Sequence, residues 1–191
     1  MGKLILLRHG ETDLNAKKIY FGRLDPSLNE IGIEQIKRAK DKLLKYGYDN
    51  IFSSPLLRAR ESAELCNYLN LPINYSDSLM ELNFGIFEGL TYTEILEKYP
   101  DEMKILEKDW ENYNYRVGES PREMYFRVLE FLKTLDFEKN NLIVAHWGVL
   151  NCILSHYLSK ELDAYWKYKF ENGGIAILEG RFDFSYLVKF I

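Results

Sequence analysis

Lys3-Leu4-Ile5-Leu6-Leu7-Arg8-His9-Gly10 is a short apolar run that ends abruptly on Arg-His-Gly. Apolar residues that follow one another without alternation, bounded by a turn signal, predict a strand buried on both faces, as strands are in a parallel sheet with helices above and below. Leu142-Ile143-Val144-Ala145-His146-Trp147-Gly148 repeats the pattern, with a histidine again at the stop. Ligand groups in such sheets gather beyond the carboxyl ends of the strands, so the two imidazoles are expected at one edge.

Between these runs the chain alternates helix and strand signals. Asn29 is placed to cap a helix whose apolar positions Ile33, Ile36, Leu43 and Leu44 recur at helical spacing. Asp49 to Ser53 reads as a second strand, and Ser54-Pro55 as the cap and first turn of a helix running to about Asn70. Ile73 to Tyr75 is a third strand. Thr91-Tyr92-Thr93-Glu94 has capping-box spacing and starts a helix that Pro100 stops near Tyr99; Ser120-Pro121-Arg122-Glu123 starts another in the same way. Ile175 to Leu178 and Tyr186 to Ile191, around Gly180, predict a hairpin. The expected fold is α/β: one domain over residues 1–191, a three-layer sandwich with a mostly parallel sheet and helices on both faces. Residues 100–118, at once polar, charged and aromatic, are expected to form an excursion over the active-site face.

Composition narrows the function. The chain has 191 residues, 47% hydrophobic and 28% charged, with a formal charge of -4. That charge argues against nucleic acid as a partner. No apolar run approaches a membrane span or a signal segment, so the expected compartment is the cytoplasm. Cys66 and Cys152 each sit in an apolar stretch and read as buried thiols. An acidic chain that binds an anion must concentrate its cations. Arg8 follows the first strand, and Arg58 lies one turn into the helix after the second, near the same edge as His9 and His146; Glu81 falls in the irregular stretch after the third strand. Taken singly, each has a plainer reading. A histidine can merely end a strand or cap a helix, and a helix arginine is usually solvated. Arg60 is expected to pair with Glu64 four residues on, and His156, with no motif around it, is read as structural or exposed.

Arg8-His9-Gly10-Glu11-Thr12 with Asn15, then Ser53-Ser54-Pro55-Leu56-Leu57-Arg58-Ala59, then Glu81-Leu82-Asn83-Phe84-Gly85 with Glu88-Gly89, then Ala145-His146-Trp147-Gly148 resemble, in order, the motifs of the histidine phosphatase (phosphoglycerate mutase-like) superfamily. Arg-His-Gly alone has little specificity; four elements in order over nearly the whole chain have much. The resemblance implies that His9 is a nucleophile that becomes a phosphohistidine. It implies that Arg8, Arg58 and His146 hold the phosphoryl oxygens with Asn15 helping, and that Glu81 gives a proton to the leaving oxygen and later takes one from water. Glu11 and Glu88 are the nearby alternatives to Glu81.

These residue types suit that chemistry. Histidine attacks through a neutral nitrogen, which neighbouring cations favour. Guanidiniums match the equatorial oxygens of a transferring phosphoryl group. A poor alkoxide leaving group needs an acid. Gly10 is expected to let the backbone approach the ligand. The arginines supply the positive charge, so neither metal nor cofactor is implied. Ser27 departs from the proline frequent at its position in the family, which bears on loop shape.

Mutases of the superfamily follow the acidic residue with cationic ones, whereas Leu82-Asn83-Phe84-Gly85-Ile86-Phe87 follows Glu81 here. The expected activity is therefore that of a phosphomonoesterase acting on a small phosphorylated metabolite. The Glu81 to Gly85 stretch and Trp110, Tyr113, Tyr115 and Gly118-Glu119 are similar to the α-ribazole phosphatases, which remove a 5′-phosphate in the assembly of the cobalamin lower ligand. That similarity implies α-ribazole 5′-phosphate as substrate; Trp110 and Tyr113 are then expected either as a wall on which its base stacks or simply as packing of the excursion onto the sheet. One alternative is a sugar-phosphate phosphatase of the fructose 2,6-bisphosphatase kind, with Arg23, Arg116 and Arg122 as extra cations. The other is a non-catalytic protein that binds a phosphorylated metabolite, which would need the arginines but neither His9 nor Glu81. Monomer and homodimer both fit the sequence.

Overall fold

Alternate side chains of the first apolar run go to opposite sides of a sheet. In the computed structural model, which describes residues 1–191, Lys3–Arg8 is strand β1, with Leu4 and Leu6 in one apolar core and Ile5 and Leu7 in another. Asn50–Ser53 (β2), Ile73–Tyr75 (β3) and Asn141–Ala145 (β4) run parallel to it. In β4, Ile143 and Ala145 join the first core and Leu142 and Val144 the second. A strand buried on both faces has no solvent side, which is why neither run alternates. Ile175–Arg181 (β5) is antiparallel to both β1 and Phe184–Phe190 (β6), giving a six-stranded sheet in the order β3-β2-β4-β1-β5-β6.

Helices cover both faces. Ahead of them, the short Asp13–Ala16 (α1) follows β1. Glu30–Leu43 (α2) and Leu57–Cys66 (α3) put Ile36, Ala39, Leu43, Ala63 and Cys66 into the second core. Tyr92–Lys98 (α4) and Pro100–Lys108 (α5) precede Pro121–Lys133 (α6) and Trp147–Leu158 (α7); the last two put Met124, Val128, Leu150 and Ile153 into the first core. Burying each large side chain is worth roughly 1.5–3 kcal/mol over leaving it exposed. The caps are as expected: Asn29 Oδ1 accepts from Gly32 N at 2.8 Å, and Thr91/Glu94 and Ser120/Glu123 close capping boxes. No helix is long and apolar enough to cross a membrane.

Three local expectations are corrected, and the expected stop at Pro100 also begins a further helix. The helix expected from Ser54 to Asn70 spans only Leu57–Cys66 and has no side-chain cap. Asn67 closes it, donating Nδ2 to Leu71 O and accepting from Leu71 N, which substitutes a side-chain turn for further helix. Pro100 ends α4 but is itself the first residue of α5, a position that needs no N–H donor. The hairpin turns at Phe182-Asp183; Gly180 lies inside β5, where a Cβ would sit 2.2 Å from Phe184 O. Arg60 lies over the Tyr75 ring, 5.5 Å from its centroid, instead of pairing with Glu64. Cys66 and Cys152 are free and buried, as expected.

Candidate active site

Register sets the site. Arg8 lies opposite Ala145 and Ser53 opposite Val144, so His9, His146 and Ser54 leave three adjacent strands side by side. The two imidazole centroids are 5.1 Å apart. His9 is 3% exposed, and its main chain is pinned by His9 N to Ala145 O at 3.0 Å and Asn172 Nδ2 to His9 O at 3.1 Å. Its Nδ1 lies 2.7 Å from Gly10 O. A carbonyl only accepts, so Nδ1 carries the hydrogen and Nε2 keeps its lone pair. Burial, then Arg58 and Arg8, push the His9 pKa well below 6.5, which keeps the ring neutral. Gly10 serves packing more than ligand approach: a Cβ there would lie 2.4 Å from Gly32 O of α2.

Arg58 is fully buried, donating Nη1 to Leu24 O at 2.9 Å and Nη2 to Gly22 O at 3.0 Å, with its guanidinium over Phe21. Burial lowers its pKa to about 10, so it remains charged at neutral pH. Arg8 donates Nη1 to Phe170 O at 2.6 Å. Arg8 Nε, Arg58 Nε and His146 Nδ1 are buried without a partner. Leaving a donor in that condition costs about 1–3 kcal/mol. All three belong to groups around His9 and leave hydrogen-bonding capacity there for an anion. Ser54, expected to cap a helix, accepts from Leu56 N at 3.3 Å ahead of α3 and also places Oγ 2.8 Å from His146 Nε2. The tautomer that serves an anion has Ser54 donating to Nε2 and a free N–H at Nδ1. Burial and the Arg58 charge keep His146 neutral as well.

Glu81 is 9% exposed; Oε1 accepts from Leu82 N at 2.9 Å and Oε2 from Gly148 N at 3.2 Å, in the first turn of α7. Burial lowers the pKa values of both Arg8 and Arg58, and the nearby Glu81 charge offsets part of that lowering. The alternatives are engaged elsewhere. Glu88 accepts from the backbone of Gly22, Arg23, Leu24 and Phe84, and Glu11 accepts from Asn29 Nδ2. Asn15 Oδ1 accepts from Thr12 N and Oγ1, closing the cap of α1, so only its amide nitrogen remains for a ligand.

A cavity of about 500 Å³ reaches Glu81 and Gly148 and is walled by Tyr20, Phe84, Trp110, Trp147, Tyr165 and Trp166. Trp110 stacks on Tyr165 at 5.4 Å, and Trp166, 65% exposed, forms the rim. Tyr113 is not part of this wall: it is buried, donating its hydroxyl to Glu102 Oε2 at 2.6 Å. Arg116 pairs with Glu102, Arg122 bridges Glu111 and Glu161, and Arg23 lies 3.8 Å from Glu119. Sequence reasoning missed Trp147, Tyr165 and Trp166. Trp147 stands inside the Ala-His-Trp-Gly element and was within reach of a closer reading; Tyr165 and Trp166 follow α7 in a turn with no motif.

An imidazole kept as its free base beside two buried guanidiniums and a carboxylate, at the carboxyl edge of a mostly parallel sheet, defines a phosphate-handling α/β enzyme. The sequence from residue 4 to 190 matches the family described as histidine phosphatase superfamily (branch 1), and the chain belongs to that superfamily as a phosphatase. It is 30% identical over 182 residues to phosphoserine phosphatase 1 of Hydrogenobacter thermophilus, covering 93% of this chain and 86% of that one. It is 34% identical over 158 residues to fructose-2,6-bisphosphatase of Saccharomyces cerevisiae, covering 81% of this chain but 34% of that longer protein. The α-ribazole phosphatase of Shigella flexneri superposes with a TM-score of 0.91 at 26% identity, over 98% of this chain and 95% of the other.

Proposed function

We propose that this phosphatase works through a phosphohistidine at His9 and that its substrate is α-ribazole 5′-phosphate, a phosphate ester on a nucleoside-like leaving group. The observation that carries the substrate is the aromatic cavity against Glu81, the group assigned to the leaving oxygen. An uncharged heteroaromatic base fits such walls, where each stacking contact adds about 0.5–1.5 kcal/mol. A bisphosphate or phosphoserine brings further charge to the same place. No arginine lines the cavity, and Arg116 and Arg122 are held by carboxylates.

His9 Nε2 attacks phosphorus while Glu81 gives its proton to the ester oxygen; the P–O bond breaks as the N–P bond forms. Arg8, Arg58 and His146 Nδ1 take the charge spreading over the equatorial oxygens, with the Asn15 amide as a further donor. Water then attacks phosphorus, Glu81 takes its proton, and the N–P bond breaks to return His9 and release phosphate. A protein that only binds a phosphorylated metabolite has no use for a free-base Nε2 and a carboxyl acid in one site, which favours turnover.

The test compares kcat/KM for α-ribazole 5′-phosphate, phosphoserine, fructose 2,6-bisphosphate and p-nitrophenyl phosphate in wild type, Trp110→Ala and Trp166→Ala. The expected result is a preference for α-ribazole 5′-phosphate and a KM for it raised about 2–10-fold by each variant, with p-nitrophenyl phosphate spared. Equal losses on all four, or preference for phosphoserine or the bisphosphate, would discard the substrate.

A further inference from the structure

Arg127, on α6, makes a two-pronged contact with Glu119: Nε to Oε1 at 2.5 Å and Nη2 to Oε2 at 2.7 Å. The same guanidinium donates Nη1 to Ser78 O at 2.7 Å and Nη2 to Glu81 O at 3.3 Å. Glu119 N donates to Asn83 O at 3.0 Å. The guanidinium thus holds carbonyls before and at the residue assigned as the acid, and the Glu119 main chain holds one after it. The pair is largely shielded, with side chains 20% and 16% exposed. It is anchored on a helix whose start is locked by the Ser120/Glu123 capping box. Ion pairs of this kind are weak sources of net stability, because desolvation offsets attraction. What a rigid fork supplies is geometry.

We propose that Arg127, held by Glu119, is a positioning residue for proton transfer: it fixes the backbone from which the Glu81 carboxyl reaches the leaving oxygen. This rests on Glu81 being the acid, as proposed above. Leu82 N and Gly148 N orient the carboxylate itself, so Arg127 acts one step further back, on the main chain that carries it. The Arg127 charge also helps keep His146 neutral.

The experiment measures kcat and KM for α-ribazole 5′-phosphate and for p-nitrophenyl phosphate in Arg127→Met, Arg127→Lys and Glu119→Gln, with Glu81→Gln alongside. Misplacing a catalytic group by about 1 Å costs on the order of 100-fold, so Arg127→Met is expected to lower kcat/KM for the alkyl ester by that factor. p-Nitrophenolate needs little protonation, so its kcat/KM, which excludes the dephosphorylation step common to both esters, should stay within about threefold. KM should be unchanged, and Arg127→Lys should recover part of the loss without restoring the fork. If Arg127→Met does not fold, the nearly isosteric Glu119→Gln carries the same expectation with a smaller loss. Equal losses on both esters, or none, with Glu81→Gln still discriminating between them, would reduce Arg127 to a structural residue. Failure of Glu81→Gln to discriminate would overturn the acid assignment and the positioning role with it.

Discussion

The backbone N–H of Gly148 donates to Glu81 Oε2 at 3.2 Å, and a Cβ on residue 148 would lie 2.5 Å from Glu81 Oε1. The junction of β4 and α7 therefore contributes twice: His146 on the phosphate side, and a helix N-terminal N–H for the acid two residues later.

Gly148→Ala should consequently act on chemistry more than on folding. Alanine favours a helix over glycine by about 0.8–1 kcal/mol, which offsets part of the clash. The carboxylate must move, and kcat for an alkyl phosphate is expected to fall at least about tenfold. Unchanged kcat in steady-state assays would show that the contact between residues 148 and 81 has no bearing on turnover.

Acid should destabilise the fold through its buried imidazoles. His9 and His146 are both held well below the ordinary value of 6.5. Below that value the unfolded chain takes up protons that the folded chain refuses, so stability falls as pH falls. Each group contributes about 1.4 kcal/mol per pH unit in this window. Urea unfolding at about pH 7, 6 and 5 should show the decline, and His9→Gln should make it shallower. An unaltered slope in the variant would mean that His9 protonates freely in the native state.

Inorganic phosphate should stabilise the protein by engaging Arg8 Nε, Arg58 Nε and His146 Nδ1, three buried atoms without partners. At a hundred times Kd the gain is about 2.7 kcal/mol, visible as a rise in Tm. Arg58→Met should abolish the rise. A variant that still responds fully would place phosphate elsewhere.

Phosphatase activity should survive EDTA, because the charge opposed to the phosphoryl group is that of Arg8 and Arg58. Inactivation by the chelator, reversed by magnesium, would contradict this division of labour.

Much of the architecture was legible because it is local. The unalternating runs Lys3–Leu7 and Leu142–Ala145 announce strands buried on both faces, and the capping boxes at Thr91 and Ser120 form as read. The structure brings His9, Arg8, Arg58, His146 and Glu81 together, because Arg8 ends one strand of the sheet and the others follow strands of it. What sequence could not show is competition for partners. Ser54 was legible as a turn acceptor, which it is toward Leu56 N, but its support of His146 comes from the β2–β4 register. Arg116 and Arg122 looked like free cations until Glu102, Glu111 and Glu161 folded against them. The aromatic cavity joins Tyr20, Trp110 and Trp166 across most of the chain, and no periodicity records such a meeting.

The central claim is the covalent intermediate. The direct measurement is trapping of protein label, by an alkaline detergent quench, from a substrate carrying ³²P in its phosphoryl group, in wild type and His9→Ala. The account predicts an acid-labile, base-stable phosphoenzyme that maps to His9 and is absent from the variant. Turnover with no trapped label at any quench time, or equal label in His9→Ala, would contradict it.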